Sequence, residues 1–254
     1  NCSYPVYCVG SESYRRPEVQ NFIQRVKENV FPPKSYPCVV LLPCSAKKPY
    51  SQSRSHRGFQ KSLKRAVKKF KGKMSWDNIH EVIVTSPLGV VPRELESVFP
   101  AQHYDIPVTG DWDVEEIEMA SECISSYLKK CVDANLENPV PLQVVVHLPS
   151  GYKKACKLAQ KKLFDSIEGP IDEKIRFSYT MPGDNDVPAS SNEALEKLEK
   201  SLIDTFSLVV KELEAEKSAN ELKSEKKKIR KALVAPLNRD EVFLHMLFDY
   251  QFGK

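Results

Sequence analysis

Between Asn29 and Trp76 the chain carries no aspartate or glutamate across 48 residues, while twelve lysines and arginines fall in the same span. Such a stretch has no internal counter-charge, and it reads as a surface for a polyanion more readily than as a solvated salt-bridge ladder. Other absences narrow the function further. No apolar run approaches the length of a membrane-spanning helix. The seven cysteines are odd in number and scattered, which excludes a disulfide framework, and no Cys-x2-Cys or His-x3-His pair is present to close a structural zinc site. Neither GxGxxG nor GxxxxGK[ST] occurs, so the common dinucleotide and nucleoside-triphosphate loops are excluded. Asn1-Cys2-Ser3-Tyr4 lacks the apolar stretch of a secretory signal. The expectation is a protein of the reducing cytoplasm, without a metal or other cofactor and without a membrane partner.

What is present concentrates in one loop. Cys38-Val39-Val40-Leu41-Leu42 has the length and β-branched content of a buried strand. It runs into Pro43-Cys44-Ser45-Ala46-Lys47-Lys48-Pro49-Tyr50-Ser51-Gln52-Ser53-Arg54-Ser55-His56. A thiol, ammonium groups, a phenol, hydroxyls and an imidazole therefore follow the carboxyl end of a strand, where open α/β sheets bind ligands. Taken singly, each has a structural explanation: a cysteine there is commonly a small buried hydrophobe, and a loop lysine is commonly solvated. The combination is what points to a site. A helix follows, with Phe59, Leu63, Val67 and Phe70 at helical spacing on the inward face. Arg54, Arg57, Lys61, Lys64, Arg65 and Lys68 then form a positive patch beside the loop, as an RNA backbone would require.

The remaining chain alternates. Pro17 opens a helix striped by Val19, Phe22, Ile23, Val26 and Val30. Further strands are predicted at 81–85, 142–146 and 176–179, a short extended piece near Tyr104, and helices at 114–132 and 152–164. This pattern implies an α/β domain over residues 1–180 with a mainly parallel sheet covered by helices in three layers. Residues 181–191 are rich in turn formers and read as a linker. From 192 to 254 the chain is a charged helical segment, with Leu195, Leu198, Leu202, Phe206, Val209 and Leu213 on one stripe and an apolar block at 241–248.

The spacing Pro-Cys-x3-Lys-Pro-Tyr-x2-Ser-x2-His, carried by Pro43, Cys44, Lys48, Pro49, Tyr50, Ser53 and His56, resembles the signature of the archaeosine synthase family, which acts on archaeal tRNA. Ser86-Pro87-Leu88-Gly89, Val91-Pro92-Arg93-Glu94-Leu95-Glu96, Tyr104–Trp112, His147-Leu148-Pro149 and the closing Phe248–Gly253 resemble the same family. The resemblance implies a fold similar to that of uracil-DNA glycosylases. It implies flanking transglycosylase-like and RNA-binding domains that are not seen in this sequence, so that the helical segment would lead toward a further C-terminal domain. It also implies an activity: free lysine adds through its side-chain amine to the nitrile of 7-cyano-7-deazaguanine in tRNA, giving an amidine that a separate radical SAM enzyme completes. For that chemistry the expected catalytic set is Cys44, Lys48, His56 and Asp105. Pro43, Ser45, Tyr50, Ser53, Gly89, Arg93, Glu94 and Trp112 are the expected substrate-binding residues. Cys44 either attacks the nitrile or only shapes the loop, and His56 is the natural acid–base group. A glycosylase or hydrolase of a modified base and a non-catalytic tRNA-binding module remain the alternatives.

Overall fold

Strand and helix alternate because apolar runs of strand length alternate with amphipathic ones. In the computed structural model, which describes residues 5–33, 37–106, 111–181 and 187–233 (side chains to 228), the elements are β1 (Val6–Tyr7), α1 (Pro17–Glu28), β2 (Cys38–Pro43), α2 (Arg54–Lys69), β3 (Ile79–Thr85), β4 (Gly89–Pro92), β5 (Tyr104–Asp105), α3 (Val114–Ala134), β6 (Leu142–Val146), α4 (Ser150–Ser166), β7 (Ile175–Tyr179) and α5 (Asn192–Leu233). The block at 241–248, the Phe248–Gly253 stretch and residues 107–110 of the Tyr104–Trp112 segment lie outside the described residues.

β2 is buried along its whole length and is the central strand of a five-stranded sheet ordered β4-β3-β2-β6-β7. Its partners β3 and β6 both run parallel to it, with Cys38 opposite Ile79 on one side and Gln143 on the other. β7 continues the parallel arrangement beyond β6. β4 departs from it by returning antiparallel along β3. The sequence places Ser86–Gly89 in a loop; in the structure that loop is the turn of a hairpin, and Gly89 is already in the strand, opposite Thr85. β1 and β5 form a separate parallel pair in which Tyr7 lies opposite Asp105.

The two faces of β2 bury different partners, as strand alternation requires. Val39 and Leu41 join one apolar cluster with Val19, Phe22 and Val26 of α1, Ile124 and Leu128 of α3, and Ala155 and Leu163 of α4. Val40 and Leu42 are equally buried but lie outside that cluster. α2 and α5 meet through the edge-to-face rings of Phe70 and Phe206, 5.8 Å apart. They also approach at Gly58, where an added Cβ would stand 3.3 Å from Leu195 Cδ1. Leu198, Leu202, Phe206 and Val209 are buried, so the first half of α5 belongs to the same compact unit, Asn1–Val210, as the sheet. The second unit is Lys211–Lys254, whose described part is polar helix with Leu222 exposed.

Local signals set the helix starts. Pro17 occupies the first turn of α1, where a missing N–H costs nothing. The Ser53 hydroxyl accepts from the His56 N–H and caps α2. Asp113 and Glu116 form a reciprocal capping box on α3. All six described cysteines are free and buried, and no described helix is long and apolar enough to cross a membrane.

Gly89, expected at the substrate, instead serves packing: its φ is +69° and an added Cβ would lie 2.4 Å from the Cβ of Cys123 on α3. Gly89→Ala is expected to lower the unfolding free energy by about 2–4 kcal/mol, combining overpacking with left-handed strain. A urea titration followed by circular dichroism checks it, and a loss below about 1 kcal/mol would contradict the close packing.

Candidate active site

Because β2 lies between β3 and β6, the segments following these three strands are neighbours, and chemically distinct side chains meet there. Cys44, one residue past β2, is 7% exposed, with its Sγ 3.1 Å from the hydroxyl of Tyr152 in the first turn of α4. The Tyr152 ring packs against Trp112, with ring centroids 4.4 Å apart. Burial first, then the neighbouring Cys44 sulfur, pushes the Tyr152 phenol far above its ordinary range, so it stays protonated.

Lys48 is the most unusual group. Its Nζ is buried without a hydrogen-bond partner and stands 3.9 Å from the centroid of the Tyr104 ring. Desolvation lowers its pKa, opposed by Cys44, Asp105 and Cys8. An ammonium left with only an aromatic face for company is costly unless the site supplies an acceptor. Tyr104 in turn is the middle link of a directed hydroxyl chain. Thr85 donates to the Ser86 carbonyl at 3.0 Å, so Tyr104 donates to Thr85 at 2.6 Å and Tyr50 to Tyr104 at 2.7 Å. Ser86, after β3, donates to the buried carboxylate of Glu116 at 2.6 Å.

His56 takes a different role from the one expected. Arg93 Nη2 donates to its Nδ1 at 2.8 Å, which forces the proton onto Nε2, and that N–H donates to the Pro43 carbonyl at 3.0 Å. Both ring nitrogens are occupied and the residue is 0% exposed, so no nitrogen remains for proton transfer to a substrate. His56 anchors α2 to the end of β2, immediately beside Cys44. Arg93 is likewise committed. It donates to Glu81 at 2.6 Å, to Glu96 at 2.9 Å and to His56, and Glu96 also accepts from the Ser51 N–H. Four of its five N–H donors are thus held within the protein, which leaves little of the guanidinium for the expected substrate contact. Glu94 is more than half exposed, and its carboxylate lies 3.6 Å from His80 near the opposite end of β3 from Thr85, away from Cys44.

The other expected residues divide in the same way. Tyr50 and Trp112 are in the cluster around Cys44 and Lys48, and Asp105 is exposed beside them in β5. Ser45 donates to the Lys47 carbonyl and shapes the loop, Ser53 caps α2, and Pro43 offers its carbonyl to His56. Tyr152, Tyr104, Thr85 and Glu116 were not singled out from the sequence as site residues. Thr85 ends β3 and Tyr152 follows β6, so their signal is topological, whereas Tyr104 in β5 and Glu116 in the first turn of α3 reach the cluster from elements that do not flank β2.

His147, after β6, mirrors His56. Its Nε2 donates to the Ala189 carbonyl at 2.8 Å and its Nδ1 accepts from Thr180 at 2.6 Å. Tyr50, His56, Phe59 and His147 form a continuous row of rings 5.2–5.4 Å apart beneath the site. Burial, the chief cause for both imidazoles, brings His56 down to about 3, with Arg93 adding to it, and His147 down to about 4. Each ring then binds fewer protons folded than unfolded between these values and 6.5. Stability is full above about pH 6.5 and falls as the pH drops through that window. Thermal unfolding from pH 7.5 to 4 should show this decline, and His56→Gln, which keeps one donor and one acceptor, should flatten it. An unchanged slope in the variant would show that His56 is protonated in the folded state.

The chain is similar to known proteins. Residues 19–202 match a family model described as a domain of unknown function, DUF5591. The chain is 43% identical over 153 residues to archaeosine synthase subunit alpha of Methanosarcina acetivorans, covering 60% of this chain and 22% of that protein. It is also 43% identical over 169 residues to archaeosine synthase of Haloferax volcanii, covering 66% and 24% respectively. The match thus spans about a quarter of the length of these curated relatives. The solved structure of AF0587, a protein of unknown function, is 26% identical and covers 71% of this chain and 49% of that one, but its TM-score of 0.44 carries no argument about fold. The chain belongs to the DUF5591 family and is a relative of the archaeosine synthases.

Proposed function

We propose that this chain is the core of a tRNA-modifying enzyme that adds free lysine to the nitrile of 7-cyano-7-deazaguanine in archaeosine biosynthesis. The observation that carries the reading is the meeting of the Cys44 thiol, the Tyr152 phenol and the unpartnered Lys48 amine beyond the end of β2. The substrate class, tRNA, is supported by a further relative, the tRNA-guanine(15) transglycosylase of Methanobrevibacter smithii, 28% identical over 123 residues. In this reading the sheet and its helices form a three-layer arrangement similar to uracil-DNA glycosylases, with the target base drawn out of the tRNA to reach the rim of the sheet, at a cost of a few kcal/mol in unstacking.

The proposed chemistry balances without a redox or nucleotide cofactor. Cys44 Sγ forms a bond to the nitrile carbon, one C–N π bond breaks, and the nitrogen takes a proton, giving a thioimidate. The lysine side-chain amine then attacks the same carbon. The C–S bond breaks, the thiolate returns to Cys44, and the amine loses one proton, leaving the amidine. Tyr152, held protonated, donates toward the sulfur and the developing nitrogen. Lys48 receives an anionic or carbonyl oxygen of the substrates, which relieves its unpaired state. Trp112 and Tyr152 present aromatic surface to the base, and Asp105 receives the incoming ammonium. A radical SAM enzyme acting on the amidine would be the next partner.

Incubating the protein with cyano-deazaguanine-bearing tRNA and lysine, then digesting and weighing the nucleosides, is expected to show a gain of one lysine. Release of free base would instead establish a glycosylase, and intact tRNA recovered with the protein bound would leave only a binding module. Cys44→Ala and Cys44→Ser should both reduce turnover to background, and near-normal rates in both would eliminate the covalent route. Tyr152→Phe is expected to lower kcat about a hundredfold with little change in the KM for tRNA. A change confined to KM would place the phenol in binding rather than proton transfer.

A further inference from the structure

The cations of α2 are not equivalent. Arg65 Nε lies 2.8 Å and Lys69 Nζ 3.6 Å from the carboxylate of Glu199 on α5, so these two are neutralised within the protein. This corrects the expectation that Arg65 faces RNA: its guanidinium already holds a carboxylate that is only 17% exposed. Arg54, Arg57, Lys61, Lys64 and Lys68 are all exposed, and none of them forms an ion pair among the described residues. Lys64 Nζ lies 5.7 Å from the centroid of the Trp76 ring. At ~100° per residue these five positions fall in a stripe about 80° wide and about 21 Å long, with a cation every ~4.5–6 Å. Arg57, Gln60, Lys61, Lys64 and Lys68 line one open groove with Arg65. The helix has no acidic residue to interrupt them.

The stripe also has a direction. It begins at Arg54, directly after the cap Ser53, and two residues before His56, whose Nε2 is tied to the Pro43 carbonyl next to Cys44. A rigid row of evenly spaced cations leading away from a reactive loop complements a chain of evenly spaced anions whose one reacting unit sits in that loop.

We propose that this stripe is a phosphodiester-binding track that holds one strand of RNA, with Arg54 nearest the site and Lys68 farthest. This rests on the proposed action on tRNA but adds where the backbone runs and which cations hold it. Arg65 and Lys69 stand outside the track because Glu199 already occupies them. Each phosphate neutralised releases condensed counterions, so the track makes binding salt-dependent in proportion to the cations used.

The test uses the whole chain and an unmodified tRNA transcript, so it does not depend on nitrile chemistry. Lys61→Gln, Lys64→Gln and Lys68→Gln are combined in one variant, and Lys154→Gln, Lys157→Gln and Lys161→Gln, exposed on α4, in another with the same change in net charge. The slope of log K against log salt is expected to fall by about 2 to 3 in the α2 variant and to stay within about 0.5 in the α4 variant. Affinity at fixed salt should fall at least tenfold in the first only. Equal losses in both variants, or none in the α2 variant, would overturn the track. Polyglutamate binding the stripe as tightly as RNA would also overturn it, in favour of an acidic protein partner. If the unaltered chain adds no lysine while the α2 variant alone shows the reduced salt slope, the proposed reaction fails and the track stands.

Discussion

β2 is paired on both edges by parallel strands and buried on both faces, and the positions of Cys44, Thr85, Ser86 and Tyr152 follow from that placement. A strand hydrogen-bonded on two sides cannot shift register without breaking two ladders at once. Its end is therefore a fixed point, and Cys44 sits one residue beyond it, with its own N–H donated to the Val84 carbonyl of β3 at 3.1 Å. Parallel pairing puts the carboxyl ends of β3 and β6 on the same side. That is why Thr85 and Ser86 come from one neighbour and the Tyr152-bearing helix follows the other.

Around this point the dominant electrostatic effect is desolvation. It holds His56 and His147 neutral, keeps the phenols of Tyr50, Tyr104 and Tyr152 protonated and lowers the affinity of Lys48 for its proton. Most of these groups are satisfied by partners that fix their orientation, including the Arg93 network that ties the loop before α2 to β3. Lys48 Nζ is not. A site in which the surroundings are saturated and one amine is left unmatched is organised to receive something, and this is the strongest structural reason to look for chemistry here.

The basic helix shows how tertiary contacts edit a sequence pattern. Read alone, its cations form one patch. Glu199, more than a hundred residues later, removes two of them and leaves a narrower row aligned with the loop. The same kind of editing acts on Gly89, whose value lies in the approach of Cys123 rather than in substrate contact.

The sequence by itself determined the alternation of strands and helices, the identity of β2 and β6, the helix start at Pro17 and the reactive composition of the loop after β2. These are local properties, written in apolar periodicity and in residue type. It did not reveal β1 or the return of β4, because two residues of a short strand, or four beside a turn, carry no usable period. Tertiary structure alone decided which polar side chains face one another. Tyr152 meets Cys44 from 108 residues away, while Glu94, far nearer in number, is carried by the antiparallel β4 to the other end of the sheet. Sequence distance does not encode which strand ends adjoin, and long-range strand pairing settles that.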